Sequence, residues 1–503
     1  MKIRKVLIAN RAEIAVRVIR TCRELGIKTV AVYSEADRAA MHVRHASEAY
    51  YIGPAPSRES YLNVEKIIEV AKKAKVDAIH PGYGFLSENA NFADRCKEEG
   101  IIFIGPSSYS ISTMGDKITA RRTMIDAGVK VVPGTKEKFT DDEAAFTIIK
   151  NIGLPVMIKA SAGGGGKGMR LVRTEADIEP SIRRAKSEAL SAFGDNSVYI
   201  EKYIESPHHI EFQILADQHG NVIHLGERDC SVQRRHQKVL EETPSCLLTP
   251  KVRKEMGEQA IAAAKAVNYC GAGTIEFLVD DQLNYYFLEM NTRLQVEHPI
   301  TERVTGLDLV KEQILIAEGE KLQYKQEDIR HHGHSIECRI YAEDPDNNFR
   351  PSPGKIKHIT EPLGFGVRCD GHAYEGYEIP IHYDPLITKL ISWAPTRQEA
   401  INRMRRGLYE YKITGIKTNI AFLEKIIDAE DFVIGKYDTN FIEKNKDFLL
   451  KRLPQDQHIE DIALISAFID YHEKLNLSAD PKQSCNGTNK WKSYSRKTGM
   501  QGL

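Results

Sequence analysis

The sequence has no excess of either charge: Lys+Arg 70 stands against Asp+Glu 70 over 503 residues, a formal net charge of +0. Proteins that coat nucleic acid usually carry a basic excess, so that class is disfavoured unless a local patch hides in the neutral total. Nor is there an apolar run approaching the roughly 18–20 residues that span a bilayer, so no membrane protein is expected. The apolar stretch ahead of Asn10 and Arg11 is too short for a signal-peptide core. Eight cysteines occur without a CxxC pair, which removes a disulfide framework and a zinc ribbon. Short-period repeats are absent too, so solenoids and propellers are not indicated. What is present is ordinary: 42% hydrophobic and 28% charged residues can bury globular cores. The length sets a prior of about three domains, and a cytoplasmic location is expected.

The first hundred residues alternate short apolar runs with helical patterns. Residues 5–10, 29–34 and 101–106 read as strands, with helices over 13–25 and 61–76 and a strand end near 77–81. Such alternation predicts a doubly wound parallel sheet whose ligands sit at the carboxyl ends of its strands, where HPGYGFLSEN (80–89) falls. By spacing alone that segment is a Pro/Gly turn. Residues 117–132 read as a helix, and a smaller unit opens at 133. Strands dominate from His208 to about Asn291, around a helix over 251–267, and another unit begins at His334. Near the end, Ile462, Ile465, Phe468 and Ile469 at helical spacing predict an amphipathic helix. The basic stretch after Asp480 reads as a solvated tail, with a docking strip as the alternative.

SAGGGGKGMR (161–170) is the densest glycine cluster. A P-loop needs Gly at position 161 and Ser or Thr after Lys167; Ser161 and Gly168 stand there instead. The dinucleotide fingerprint needs a following helix, whereas residues 169–174 read as a strand. A hairpin with a bare backbone tip remains, able either to close over phosphates or simply to flex. Lys159 on the preceding apolar strand favours an anion nearby.

Glu276 and Glu289 lie on consecutive strands. A hairpin turning at Gln282 and Leu283 would oppose them, with Cβ atoms about 5 Å apart. Opposed like charges call for a cation between them, and oxygen ligands favour magnesium or manganese. Alternatively, the register is off by one or one glutamate faces water. The strand then continues as Glu289, Asn291, Arg293, Gln295 and Glu297, every second residue polar, until Pro299 ends it or a loop begins within its last residues. This would line one face with chemistry, or form a solvent-facing edge. Arg228, Arg234, Arg235, His236 and Lys238 suit an anion pocket or an exposed charged run. His331, His332 and His334 read as a surface connection.

Together, KVLIANRAEIAVRVIR (5–20), HPGYGFLSEN (80–89), MGDK (114–117), KASAGGGGKGMR (159–170), ERDCSVQRRHQKV (227–239), EMNTRLQVEHPITE (289–302) and ECRIYAEDP (337–345) resemble biotin carboxylase. That is the ATP-grasp component of biotin-dependent carboxylases, and the resemblance runs from Lys5 to about residue 446. It implies an α/β and α+β multidomain fold: a doubly wound N-terminal domain (1–115), an ATP-grasp domain (116–325) with a lid over about 133–204, and a C-terminal domain (330–446). Residues 447–503, a helix plus a basic tail, fall outside it.

The resemblance places Lys117 and Lys159 on the phosphates of ATP and makes Gly163, Gly164, Gly165 and Gly166 the closing lid. Glu201, Lys202 and Ile204 match the adenine hinge; His209, Gln233 and His236 match positions around the nucleotide. Glu276, Glu289 and Asn291 match the metal ligands. Arg293, Gln295 and Val296 match a bicarbonate cradle, Lys238 a lysine near the transferred phosphoryl group, Glu297 the base, and Tyr83 and Arg339 the biotin contacts. The reaction implied is ATP- and bicarbonate-dependent carboxylation of biotin. The only Met-Lys pair is Met1-Lys2, and no carboxyltransferase-sized segment is present. Biotin is therefore expected on a separate carrier protein, alongside carboxyltransferase subunits. Family dimer contacts map onto Arg20, Glu24, Phe365 and Arg368, so a homodimer is expected. The rivals are another ATP-grasp ligase, such as a carbamoyl phosphate synthase or a purine-pathway carboxylating enzyme, and a nucleotide-sensing subunit without turnover. Arg293, Gln295, Glu297 and Arg339 occurring together favour the carboxylase.

Overall fold

The computed structural model describes residues 2–135, 142–160, 169–193, 196–451 and 457–478. Five strands open the chain: β1 (Lys5–Ile8), β2 (Lys28–Ser34), β3 (Glu48–Gly53), β4 (Ala78–His80) and β5 (Ile102–Phe103). They pair in parallel in the order β3-β2-β1-β4-β5, as the strand–helix alternation predicts. The order reverses direction between β1 and β4, which opens a crevice at their carboxyl ends. Asn10 bridges it, its Nδ2 donating to the carbonyls of Pro81 and Tyr83 at 2.7 Å each. Gly82 is required there: its φ is +64°, and a Cβ would lie 2.9 Å from that same Nδ2.

A three-stranded antiparallel sheet follows, with β6 (Val156–Ala160) between β7 (Met169–Val172) and β8 (Val198–Lys202). The helix expected over 117–132 is shorter, Lys117–Asp126, and Gly128 takes a positive φ just beyond it. Glycines 163–166, expected to form the lid tip, lie outside the described residues.

The largest sheet has eight strands. β9 (His208–Ala216), β10 (Val222–Arg234), β11 (Gln237–Thr243), β12 (Gly271–Val279), β13 (Tyr285–Asn291) and β14 (His334–Tyr341) are joined by Leu386–Ala394 and Val367–Gly371. Its order is β13-β12-β9-β10-β11-β14, then the last two. β11 pairs with β14 from Leu240 against Cys338 to Thr243 against Ser335, so strands on both sides of residue 330 share one sheet. Apolar side chains such as Leu240, Ile336, Leu390 and Met404 fill one core beneath it. Phe212, Ile275, Phe277 and Met256 fill another. Glu242 locks this junction: buried, it accepts from His334 at 2.6 Å and from Arg397 at 2.8 and 3.0 Å. His334 is therefore not part of a surface connection, because its ring serves this buried carboxylate.

Residues 451–503 form a separate unit. Its helix, Gln457–Ser478, matches the expected helix, but Ile462, Ile465, Phe468 and Ile469 are 52–65% exposed. Leu464 and Tyr471, outside that stripe, are exposed as well. The basic tail lies outside the described residues. Among the described residues, no helix is long and apolar enough to cross a membrane.

Candidate functional site

Cross-strand register builds the site. Glu276 pairs with Glu289 on one side and Glu211 on the other, and Glu211 pairs with Arg228. Four neighbouring strands thus carry a row of three carboxylates closed by a guanidinium. The sequence pattern places Glu276 opposite Glu289 for a partly wrong reason. The hairpin closes at Val279 against Tyr285, with Asp280 rather than Gln282 organising the turn. A register shift between Glu276 and Phe277 then restores the expected partner.

Lys238, near the tip of the β10–β11 hairpin, reaches into this row. Its Nζ donates to Glu211 at 2.5 Å, Glu276 at 3.0 Å and Glu297 at 2.7 Å. Burial disfavours that charge, but the three carboxylates outweigh it and hold the ammonium well above its ordinary pKa. Glu276 also accepts from His209 Nε2 at 2.8 Å, Asn291 at 2.8 Å and Gln295 at 3.2 Å. Glu289, at the open end of the row, has the opposite bias: the charge of Glu276, then burial, raises its pKa. Two carboxylates that repel in this way suit a hard divalent cation, and Asn291 adds an amide. Asn291 Oδ1 meanwhile accepts from Arg293 at 3.1 Å.

The polar run after Asn291 is not a strand, contrary to expectation. β13 ends at Asn291, and the chain turns irregularly until Glu297 begins the helix His298–Thr305. Pro299 sits in that helix's first turn, where its missing N–H costs nothing. The alternation still delivers its residues to one place. Arg293 donates to Gln295 at 2.9 Å and to Glu88 at 2.8 Å, and Gln295 reaches Glu276. Glu297, fully buried, accepts from Lys238 through Oε1 and from Arg339 through Oε2 at 2.9 Å. Burial raises its pKa, but Lys238 and Arg339 more than reverse this and keep it ionised. Arg339 also donates to Glu241 at 2.6 Å. Glu241 is pushed by burial up to about 7 despite that bond.

Two adjoining cavities, of about 330 and 640 Å³, share Lys159, Glu201 and Glu289 in their walls. Lys117 lines the first; Ile204, His209, Gln233 and His236 line the second. Lys159 on β6 is paired with Glu201 on β8 at 2.6 Å, so its nearest anion is a protein carboxylate. Lys202 is spent within the small sheet: its Nζ donates to Gly153 and Leu154 carbonyls, and its N–H to Pro133. Arg235 and His236 form the β10–β11 turn, both at positive φ. A third cavity of about 390 Å³ lies at the β1/β4 crevice and brings Tyr83, Val296 and Arg339 together.

The anion pocket expected of residues 228–238 is only partly found. Arg228 is completely buried and fully engaged by Glu211, Gln213, Thr274 and Thr301. Arg234 is bound to Glu343 at 2.8 Å. Sequence reasoning missed Glu88, Glu211 and Glu241. For Glu211 a signal exists: His209, Glu211 and Gln213 alternate along a strand buried on both faces.

A glutamate-lined antiparallel sheet facing a small lysine-bearing sheet across a cleft defines an ATP-grasp ligase. Residues 116–325 match the model of the carbamoyl-phosphate synthase L chain ATP-binding domain. Residues 2–111 match the biotin carboxylase N-terminal domain, and residues 337–444 its C-terminal domain. Biotin carboxylase 1 of Bacillus subtilis is 57% identical over 442 residues, 88% of this chain and 98% of the relative. A pyruvate carboxylase component of Methanothermobacter thermautotrophicus is 56% identical over 441 residues, 88% of this chain and 89% of that one. The biotin carboxylase domain dimer of Hydrogenobacter thermophilus 2-oxoglutarate carboxylase, solved with MgADP, ADP and bicarbonate, is 52% identical. Its TM-score is 0.84, over 89% of this chain and 99% of that one. The chain belongs to the biotin carboxylase family: it is the biotin carboxylase of a biotin-dependent carboxylase.

Proposed function

We propose that this chain carboxylates biotin on a carrier protein by way of carboxyphosphate, with the residue roles that the resemblance implies. The observation that carries this is convergence. Arg293, Gln295, Val296 and Glu297 stand on one short loop, and Lys238 and Arg339 meet on the Glu297 carboxylate, one at each oxygen. Arg293 neutralises bicarbonate and Gln295 orients it, while Glu297, held ionised, takes its proton as a bicarbonate oxygen attacks the γ-phosphorus. The bond to the β-phosphate oxygen breaks and ADP leaves, with Lys238 facing the charge that develops. Carboxyphosphate parts into carbon dioxide and phosphate. The phosphate accepts the ureido N–H proton, and that nitrogen attacks carbon dioxide. Arg339 stabilises the enolate-like ureido oxygen, beside Tyr83.

Glu276 and Glu289, with Asn291 once its oxygen leaves Arg293, would hold magnesium or manganese, whose chemistry is to neutralise phosphate charge. Lys117, Lys159 and glycines 163–166 are assigned to the phosphates, Glu201, Lys202 and Ile204 to adenine, and His209, Gln233 and His236 to the nucleotide's surroundings. Since Lys202 has its side chain and N–H committed, its carbonyl is the group left for adenine. Bound MgADP and bicarbonate in the Hydrogenobacter relative support these assignments.

The domain division at 1–115, 116–325 and 330–446 belongs to the same reading, as does a cytoplasmic location. A homodimer is supported by the relative solved as a dimer. Exposed Leu363 and Phe365, 78% and 76% accessible, offer an apolar patch for it, with exposed Arg20 and Glu24 as the polar contacts. Arg368 is already held by Glu302 and Asp370 and would buttress that face. Separate carrier and carboxyltransferase subunits complete the enzyme. Relatives named for pyruvate and methylcrotonoyl-CoA lie at 56% and 54% identity, so identity leaves the acceptor open.

ADP formation by the purified chain, with and without bicarbonate and free biotin, tests the reading. Bicarbonate-dependent turnover, stimulated by biotin and abolished by Glu297→Gln, is the expected result. Turnover indifferent to bicarbonate would overturn it.

A further inference from the structure

The loop from Thr292 to Glu297 is irregular, so its backbone groups need partners from elsewhere. Glu88 accepts the Thr292 N–H at 3.1 Å, and His298 Nδ1 lies 2.8 Å from the Gln295 carbonyl. The third anchor is Lys389, from the strand Leu386–Ala394. Its side chain is 0% exposed, and its Nζ donates to the Val296 carbonyl at 2.8 Å. The same ammonium lies 3.2 Å from Glu13 Oε2 and 6.0 Å from the centre of the Tyr83 ring. Glu13, Tyr83 and Val296 come from three distant parts of the chain and all line the cavity that holds Arg339. A fully buried lysine is costly unless its charge is used, and neither the phosphate nor the metal positions of the site include it.

We infer that Lys389 is a positioning residue that sets the bicarbonate-holding loop from behind. By fixing the Val296 carbonyl it fixes the peptide plane joining Val296 to Glu297, and with it the direction of the Glu297 carboxylate. Register explains why a lysine can stand there. Lys389 pairs with Arg339 on one side and Asp370 on the other, and Asp370 is clamped by Arg368 at 2.6 and 2.8 Å. The ammonium is thus flanked by a carboxylate on its neighbouring strand and supported by Glu13 in front. The inference rests on the assignment of Arg293, Gln295 and Val296 to bicarbonate.

The test is steady-state kinetics of full-length Lys389→Met, with Arg293→Ala beside it. A charge-assisted hydrogen bond lost from the loop predicts a bicarbonate KM raised about 10- to 100-fold. MgATP affinity, measured by calorimetry, should stay within about twofold, since nucleotide residues are untouched. Lys389→Met combined with Glu13→Gln removes both members of the ion pair, and serves if the single variant does not fold. A bicarbonate KM at the wild-type value, with Arg293→Ala raised, would sink the role of Lys389 alone. If Arg293→Ala leaves the bicarbonate KM unchanged, the loop assignment itself falls. Loss of MgATP affinity in both Lys389 variants would make the residue merely structural and overturn the inference.

Discussion

Lys238 and Glu297 form one ion pair, yet removing one member should cost folding far more than removing the other. Replacing Lys238 by Met takes a cation from three carboxylates, all within 3.0 Å of its Nζ. Each keeps one basic partner: Glu211 retains Arg228, Glu276 retains His209, and Glu297 retains Arg339. None keeps a second cation, and breaking one side of a buried pair costs about 3–5 kcal/mol. Replacing Glu297 by Gln instead removes one carboxylate from an acid-rich group. Lys238 keeps Glu211 and Glu276, Arg339 keeps Glu241, and the cost should be below about 1.5 kcal/mol. Both variants should lose turnover, by about 100- to 10,000-fold for the missing base. Unfolding, followed by circular dichroism at fixed ionic strength, separates them. The sign with pH is also set. Glu276 and Glu297 are held well below the ordinary carboxylate value, with Lys238 the largest influence opposing burial. The stability they contribute is present above an unfolded pKa of about 4.3 and lost as the pH falls through the folded value. Without Lys238 that folded value rises, so the gap from wild type should be widest near pH 8 and narrow toward pH 5. Equal destabilisation by the two substitutions, or a gap independent of pH, would refute the reasoning.

Glu289→Gln relieves the repulsion with Glu276 but removes a hard-cation ligand, so half-maximal ADP formation should need about tenfold more magnesium, with bicarbonate KM unchanged. A magnesium titration of turnover checks this. At the sheet junction, burial raises the pKa of Glu242, but His334 and Arg397 bring it down to about 2. Its stabilisation is present above about 4.3 and lost as the pH falls toward 2. Glu242→Gln should therefore cost about 3 kcal/mol near pH 7, less below pH 4, without altering the KM for ATP; urea unfolding at the two pH values measures it.

The parallel N-terminal sheet was legible because strand–helix alternation and turn residues act locally. So was the Glu276–Glu289 pairing, although only because the register shift between Glu276 and Phe277 cancels a one-residue error in where the hairpin turns. The end of β13 was not. Alternating polarity at Arg293, Gln295 and Glu297 looks like a strand, and only the missing ladder partners show that it is a loop. Glu88 was hidden for a different reason. It binds Arg293 across 205 positions of sequence, and nothing near either residue announces the other. Arg228 was misread because a basic cluster in sequence need not be one in space. Along β10 the basic side chains part company, Arg228 turning into the sheet and Arg234 to Glu343.

The misread residues converge on one buried cluster, and it bears on what the fold is for. Glu211, Glu276 and Glu297 are buried together at one sheet face, and glutamate is a poor choice for such a position on grounds of packing and solvation alike. Folding alone would fill a buried cross-strand row with branched apolar residues, and replacing a buried ionic group that way is often neutral or stabilising. The cost is accepted over several strands at once. Their cations are pre-paired as well: Arg293 by Glu88, Lys238 by three glutamates, and Arg339 by Glu241 and Glu297. Fixed charges held by their neighbours need little reorganisation when charge develops between them, which is the property an electrostatic catalyst requires. Where buried polar periodicity contradicts the needs of packing, the contradiction is itself the functional signal, and in this chain it leads to the same residues as the hydrogen bonds do.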